Sequence, residues 1–186
     1  MNNLIKTPLF LLFERQQDLW KEKNQSLPRQ DFESDWLSPC QVGEPEEGKV
    51  QWQPVVRDAD LGNIEDALEI KLHPSISDFF CQAFAGHLPC LFEGHPIALI
   101  QPWNEDDFKL LQENMIAHFL MQKRLKKPAS MFIASCTDEM QIVSILNETG
   151  QVQLENLGKE QEKVLAENLT DFLTQLEPMI KIEAFY

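Results

Sequence analysis

The chain has 186 residues, a length that suits one domain, and its 43% hydrophobic content is enough for a real core. Sixteen Lys and Arg against thirty Asp and Glu leave a formal charge of -14 and a pI near 4.6, which argues against a nucleic-acid partner and makes an anionic membrane surface repulsive. No segment approaches the roughly 20 apolar residues of a membrane span.

The apolar run "LFLLF", Leu9 to Phe13, is too short for the core of a signal peptide and runs at once into Glu14 and Arg15. Cys40, Cys81, Cys90 and Cys136 contain no C-x-x-C pair, so four reduced thiols in a cytosolic protein are expected, without cofactor, metal or disulfide.

Thr7 and Pro8 supply a cap and a first helical residue, and Leu9, Leu12, Phe13, Gln16, Leu19 and Trp20 follow at helical spacing. From Leu27 to Glu47 three prolines, Gly43 and scattered acids show no periodicity, which reads as loop. "KVQWQPV" reads as a short strand kept at an edge by Pro54. "IEDALEI" after Asn63 and "PSISDFFCQAF" from Pro74 are two short helices.

"LPCLF" and "HPIALIQ" flank Glu93 and Gly94 as a hairpin. A long helix starts at Asn104, its acids Glu105, Asp106 and Asp107 over the positive end of the dipole, and closes on Lys123, Arg124, Lys126 and Lys127 before Pro128. Phe108, Leu111, Met115, Phe119, Met121 and Leu125 occupy most of its other positions, so it is expected to be mostly buried. "MFIAS", "QIVSIL" and "QVQL" are further strands. A last helix should carry Val164, Leu165, Leu169, Phe172, Leu173 and Leu176 up to Pro178. Strand pairs interrupted by a helix imply an α+β fold, a single domain over residues 1–186 with a largely antiparallel sheet covered by helices.

Chemistry-bearing motifs are sparse. His87, Cys90 and His95 lie close together but match no strong zinc spacing and offer only three ligands. Glu105, Asp107 and His118 could be imagined as an acid-base set, yet eleven residues of helix separate Asp107 from His118 by about 16 Å. Nucleophile-elbow, phosphate-loop and dinucleotide motifs are missing. Asn114, His118 and Gln122 make a polar stripe at i, i+4, i+8, either lining a cleft or satisfied by neighbouring backbone. Trp52 in "WQP" and Trp103 in "QPWNEDD" are either core residues or, beside carboxylates, binders of a Lys or Arg side chain.

The stretches "SPCQV", "VQWQPVVRDADLGNIEDALEIKLHPSISDFF" and "QPWNEDDFKLLQENMIAHFLMQKRLKKPASMFIAS" resemble the SecY-interacting Syd family, and the likeness runs to about Pro178, leaving "IKIEAFY" peripheral. The resemblance implies a cytoplasmic protein that is not an enzyme, held loosely at the inner face of the inner membrane by SecY, the secretion channel. It also implies likeness to the SUKH group of α+β domains, many of which are immunity proteins.

Charge agrees with this: cytoplasmic loops of membrane proteins are rich in Lys and Arg, and a chain at -14 complements them. The leading expectation is thus a monomeric binding module that docks on basic cytosolic loops of SecY and regulates or checks the channel, with a preference for improperly assembled SecY. Its expected contact residues are Trp52, Glu65, Asp66, Glu69, Trp103, Glu105, Asp106 and Asp107, and direct lipid insertion is not expected. The competing readings are an immunity-type inhibitor that fills a basic toxin cleft and a hydrolase built on Glu105, Asp107 or His118.

Overall fold

The computed structural model describes residues 7–156 and 162–181. Helix α1 (Pro8–Asn24) starts where Thr7 Oγ1 accepts the Phe10 N–H, buries Leu9, Phe10, Leu12, Phe13 and Gln16, and stops at left-handed Gln25. The segment expected to be loop contains β1 (Arg29–Asp31) and β2 (Gln41–Glu46), which flank β3 (Lys49–Trp52) in a three-stranded antiparallel sheet. β1 is too short and β2 too polar and bulged to show alternation, so pairing with β3 rather than local pattern defines them. β3 is consequently a middle strand and not an edge. Pro54 lies beyond it, where its missing N–H removes no ladder bond.

A two-stranded ribbon of β4 (Val55–Val56) and β5 (Ala83–Phe84) encloses α2 (Gly62–Leu68) and α3 (Pro74–Phe80) in sequence. His73, a turn residue by its place before Pro74, accepts the Ser75 N–H at the start of α3.

The main sheet is built from β6 (Leu88–Phe92), β7 (His95–Leu99), β8 (Ser130–Cys136), β9 (Gln141–Leu146), β10 (Val152–Asn156), β11 (Glu162–Ala166) and β12 (Glu177–Pro178). Its order is β11-β10-β9-β8-β7-β6-β12, and each neighbouring pair is antiparallel. Glu93 and Gly94, both at positive φ, close the two-residue β6–β7 hairpin. The long helix α4 (Glu105–Arg124) bridges β7 and β8, and α5 (Leu169–Gln175) precedes β12. The chain is thus one α+β domain on a curled antiparallel sheet. The last helix is shorter than its apolar spacing suggested, because Val164 and Leu165 belong to β11 and Asn168 caps the helix after them. Most of "IKIEAFY" lies outside the described residues.

α4 departs from the expectation of a mostly buried helix. Phe108, Leu111, Met115, Phe119 and Gln122 form its buried stripe against β8 and α2, while Leu110, Leu120 and Met121 are about half exposed. The helix also ends before Pro128 can act: Lys126, at φ 55°, turns left-handed and returns its N–H to the Lys123 carbonyl.

The polar stripe resolves residue by residue. Asn114 is exposed, His118 is half-buried between Phe119 and Phe132, and Gln122 is buried. Gln122 Oε1 accepts the Ser130 N–H at 2.9 Å, and its Nε2 donates to Ser130 Oγ. Ser130 and Ser144 both donate to the buried Glu155 carboxylate, which also accepts from Gln153 Nε2 at 3.1 Å. This network ties the last turns of α4 to β8, β9 and β10. Truncating Gln122→Ala takes the side-chain acceptor from the buried Ser130 N–H and one donor from its hydroxyl, which keeps its bond to Glu155, and urea unfolding should show a loss of about 1 to 3 kcal/mol.

Candidate protein interface

The junction between β7 and α4 organises the front of the molecule. Asn104 Oδ1 accepts the Asp107 N–H at 2.8 Å, and Asp107 Oδ2 accepts the Trp103 N–H at 2.7 Å, so the third acid of the opening run closes a reciprocal cap. Trp103 Nε1 donates to the Trp36 carbonyl at 3.2 Å, Asn104 Nδ2 donates to the Leu37 carbonyl at 2.8 Å, and Ser38 Oγ donates to the Trp103 carbonyl. The segment 36–38 is thereby laced to the helix start.

Beside this junction lies a concave cavity of about 370 Å³. All four tryptophans of the chain line it: Trp20 from α1, Trp36 after β1, Trp52 from β3 and Trp103. Asp31, Glu33 and Asp107 bring carboxylates to it, and Gln16, His87 and Ile180 complete much of the wall. Trp52 and Trp103 are 2% and 6% exposed and meet edge to face at 6.5 Å, so they form the floor. Of the two readings, core residue or binder of a basic side chain, both rings are buried as core: β3 is central in its sheet and Trp103 is pinned under segment 36–38, while each still lines the cavity.

Gly86 lets Trp52 approach, because a Cβ there would lie 2.6 Å from the indole Cε2 and 2.6 Å from Gln30 Oε1. Two polar atoms on the cavity wall, Gln16 Oε1 and Trp20 Nε1, are buried without a hydrogen-bond partner, although Gln16 Nε2 is held by the Met179 carbonyl at 2.9 Å. Solvent reaches His87 through the cavity mouth, yet protein atoms crowd its ring. That crowding lowers its pKa, against the opposing pull of Asp107.

The other expected contact residues are scattered. Glu105 is the nearest carboxylate to Arg57, at 3.9 Å, whose buried guanidinium is stacked between Phe84 and Phe108 at 4.2 and 3.9 Å from the ring centres. Burial lowers the Arg57 pKa, and Glu105 opposes that shift. Asp106 is exposed and faces Lys109 at 3.0 Å. Glu65 turns back to Lys71 and to the Leu72 N–H, Asp66 is exposed, and Glu69 borders a separate groove with Lys123 and Lys127 at the far end of α4. Hence only Trp52, Trp103 and Asp107 of the expected set meet at the cavity.

Asp31, Glu33, Trp20 and Trp36 were missed because β1 and the chain after it read as loop. A usable signal was present, since all the tryptophans other than Trp103 precede residue 53 and two of them lie close to acids.

The imagined acid-base set separates, with His118 near Glu155 and Phe132 rather than near Glu105 or Asp107. Among the described residues no three His, Cys, Asp or Glu side chains gather as metal ligands, and no helix is long and apolar enough to cross a membrane. All four cysteines are free and buried, and burial pushes their thiols up, to about 12 for Cys90 and about 11 for the others.

A compact α+β domain with an acidic, tryptophan-lined concavity has the makeup of a protein-binding module. Residues 6–178 match the family model described as Syd protein (SUKH-2). A protein named Protein Syd from Psychromonas ingrahamii is 60% identical over 182 residues, covering 97% of this chain and 99% of that one. Namesakes from Aeromonas hydrophila and Yersinia pestis are 44% identical over 160 residues and 42% identical over 178 residues, and cover 85% and 95% of this chain and 88% and 97% of their own. The chain belongs to the Syd family.

Two outcomes test the local physics. Gly86→Ala should press a methyl into the Trp52 ring, destabilise the fold by about 1 to 3 kcal/mol and change the tryptophan emission of the native state. His118 is held below its ordinary pKa of 6.5, first by burial, with Glu155 and the Ser130 backbone opposing. Between the folded and unfolded pKa values the unfolded chain therefore binds more protons, so stability falls as pH drops below about 6.5 and levels off beneath the folded value. His118→Asn should remove its share of that slope, read from urea unfolding at a series of pH values.

Proposed function

We propose that this chain is a non-enzymatic binding module that takes a basic cytosolic loop of the SecY channel into the tryptophan-lined cavity. The observation that carries the proposal is the convergence of four indoles and three carboxylates, against Arg29 on the wall and Lys49 paired with Asp31, on one concavity in a chain of charge -14. Aromatic faces and carboxylates together suit Lys and Arg, through cation–π contact and charge-assisted hydrogen bonds.

Cytoplasmic loops of membrane proteins are enriched in basic residues, which makes a SecY loop a complementary occupant. The protein is then cytoplasmic and peripheral on the inner face of the inner membrane, without inserting into it, and its association is fast and salt-sensitive. By occupying the loop it regulates or checks the channel, with preference for channels whose loops are exposed by improper assembly. It acts as a monomer.

The originally expected acids make poor probes, since Glu105 balances buried Arg57 and Asp107 closes the α4 cap. Asp31 and Glu33 are exposed at the cavity and serve better, since the ion pair of Asp31 with Lys49 lies in solvent and contributes little to the fold. Reversing both to Lys should slow association with a peptide of a basic SecY loop and flatten its salt dependence, while the thermal unfolding temperature stays close to that of the parent. Reversing Lys123 and Arg124, at the opposite end of α4, should leave loop binding in solution intact. Equal association rates for the parent and the folded Asp31→Lys/Glu33→Lys variant would reject the cavity as the loop site.

A further inference from the structure

The C-terminal corner of α4 differs in kind from the rest of this acidic molecule. Lys123, Arg124, Lys126 and Lys127 place four of the sixteen Lys and Arg within five residues. Between and beside them Leu120, Met121 and Leu125 stand 52%, 48% and 59% exposed. Lys123, Arg124 and Lys126 are exposed as well, and among the described residues none of the three takes part in an ion pair. Leu120 lines the groove shared with Leu68 and Ile70, whereas Met121 and Leu125 lie outside the buried stripe of α4.

We propose that this corner makes a shallow, reversible contact with the headgroups of anionic phospholipids. Cations interleaved with protruding Leu and Met suit the boundary between headgroup phosphates and acyl chains, where the ammonium and guanidinium groups meet phosphate and the apolar tips leave water. The contact lies on the surface and spans nothing.

The overall charge does not forbid it. Asp107 at the cavity and Arg124 at the corner are separated along the helix by about 26 Å at 1.5 Å per residue. That is about three Debye lengths at physiological ionic strength, so a bilayer touching the corner is largely screened from the acidic end. The acids near the corner include Glu69, which shares a groove with Lys123 and Lys127, Glu148, next to Asn147, whose N–H bonds the Ala129 carbonyl, and Glu155, buried behind Gln122 and Ser130. Glu155 is buried and faces Ser130 and Ser144, so the outward face of the corner is set by exposed Lys123, Arg124 and Lys126. Repulsion of the remaining surface then favours the orientation that puts this corner toward the bilayer.

The test is co-sedimentation of the full chain with vesicles rich in phosphatidylglycerol and with vesicles of phosphatidylcholine alone, with no channel present. The outcome is therefore independent of the cavity reading, whose own variants are Asp31→Lys and Glu33→Lys. At low salt the pelleted fraction should be severalfold higher with the anionic vesicles and should fall on adding salt. Lys123→Glu/Arg124→Glu/Lys126→Glu should abolish it, and Leu120→Ser/Met121→Ser/Leu125→Ser should reduce it. Both variants should melt like the parent, because the substituted side chains are exposed.

Equal pelleting on both vesicle types, no pelleting on anionic vesicles at low salt, or pelleting unchanged in both variants would overturn the proposal. If anionic vesicles fail but crosslinking at Leu125 captures an acidic protein and the charge-reversed variant does not, the corner is a protein interface and the lipid reading falls.

Discussion

The structure depends on the few hydrogen bonds that lace Trp103 and Asn104 to the segment from Trp36 to Ser38. Those bonds start α4, close its N-terminus through Asp107 and hold the polar chain between β1 and β2 against the main sheet. Without them the three-stranded sheet and the seven-stranded sheet would share few directional constraints in this region. Apolar contact between Trp52 and Trp103 contributes area but little direction, whereas donors and acceptors fix how the two units are turned relative to one another. The cavity is the space left between elements joined in this way. Its shape is therefore set by the cap of a helix rather than by the loops that rim it.

Charge is distributed with similar economy. The acids that open α4 have three different tasks: Glu105 stands by Arg57, Asp106 pairs at the surface with Lys109, and Asp107 serves the cap and the cavity wall. Arg57 is a costly residue to bury, and its Nε and Nη1 lack hydrogen-bond partners. Stacking between Phe84 and Phe108 recovers part of that cost, because a guanidinium is weakly hydrated and its plane matches an aromatic face. The same chemistry recurs in the cavity, where indoles and carboxylates meet Arg29 on the wall and Lys49 beside Asp31. The interior thus already holds one example of the recognition proposed for its surface.

How much of this the sequence disclosed follows from the range of the interactions concerned. The β6–β7 hairpin, the cap of α4 and the class of the fold are legible, since each depends on residues close together in the chain: the Glu93–Gly94 turn, Asn104 with Asp107, and strands of alternating burial such as β6. β1 and β2 were hidden because their partner β3 is distant in pattern if not in number, and polar residues dominate them. Val164 and Leu165 match the helical spacing of Leu169 and Phe172 by coincidence, and only pairing with β10 shows them to be strand. The cavity is the extreme case, because its tryptophans come from four separate segments between residues 20 and 103. Their convergence is a property of topology, and periodicity cannot report it.

α4 also illustrates why a helix's order of charges is an incomplete guide to its use. Acids at the start and bases at the end agree with the dipole, and each exposed charge contributes only about 0.3 to 1 kcal/mol in that role. Such small terms permit the arrangement without requiring it, so the packing around each end must distinguish helix design from function. At the start, packing consumes the acids unequally, leaving Asp107 with a cap on one side and the cavity on the other. At the end, Gln122 anchors the last turns through Ser130, while exposed Lys123, Arg124 and Lys126 take part in no ion pair among the described residues. Lys123, Arg124, Met121 and Leu125 are consequently free of structural duty, whereas Glu105 and Asp107 are not. A surface that the fold does not need, and that nevertheless exposes apolar groups among like charges, is more informative about partners than an acidic run that the helix itself employs.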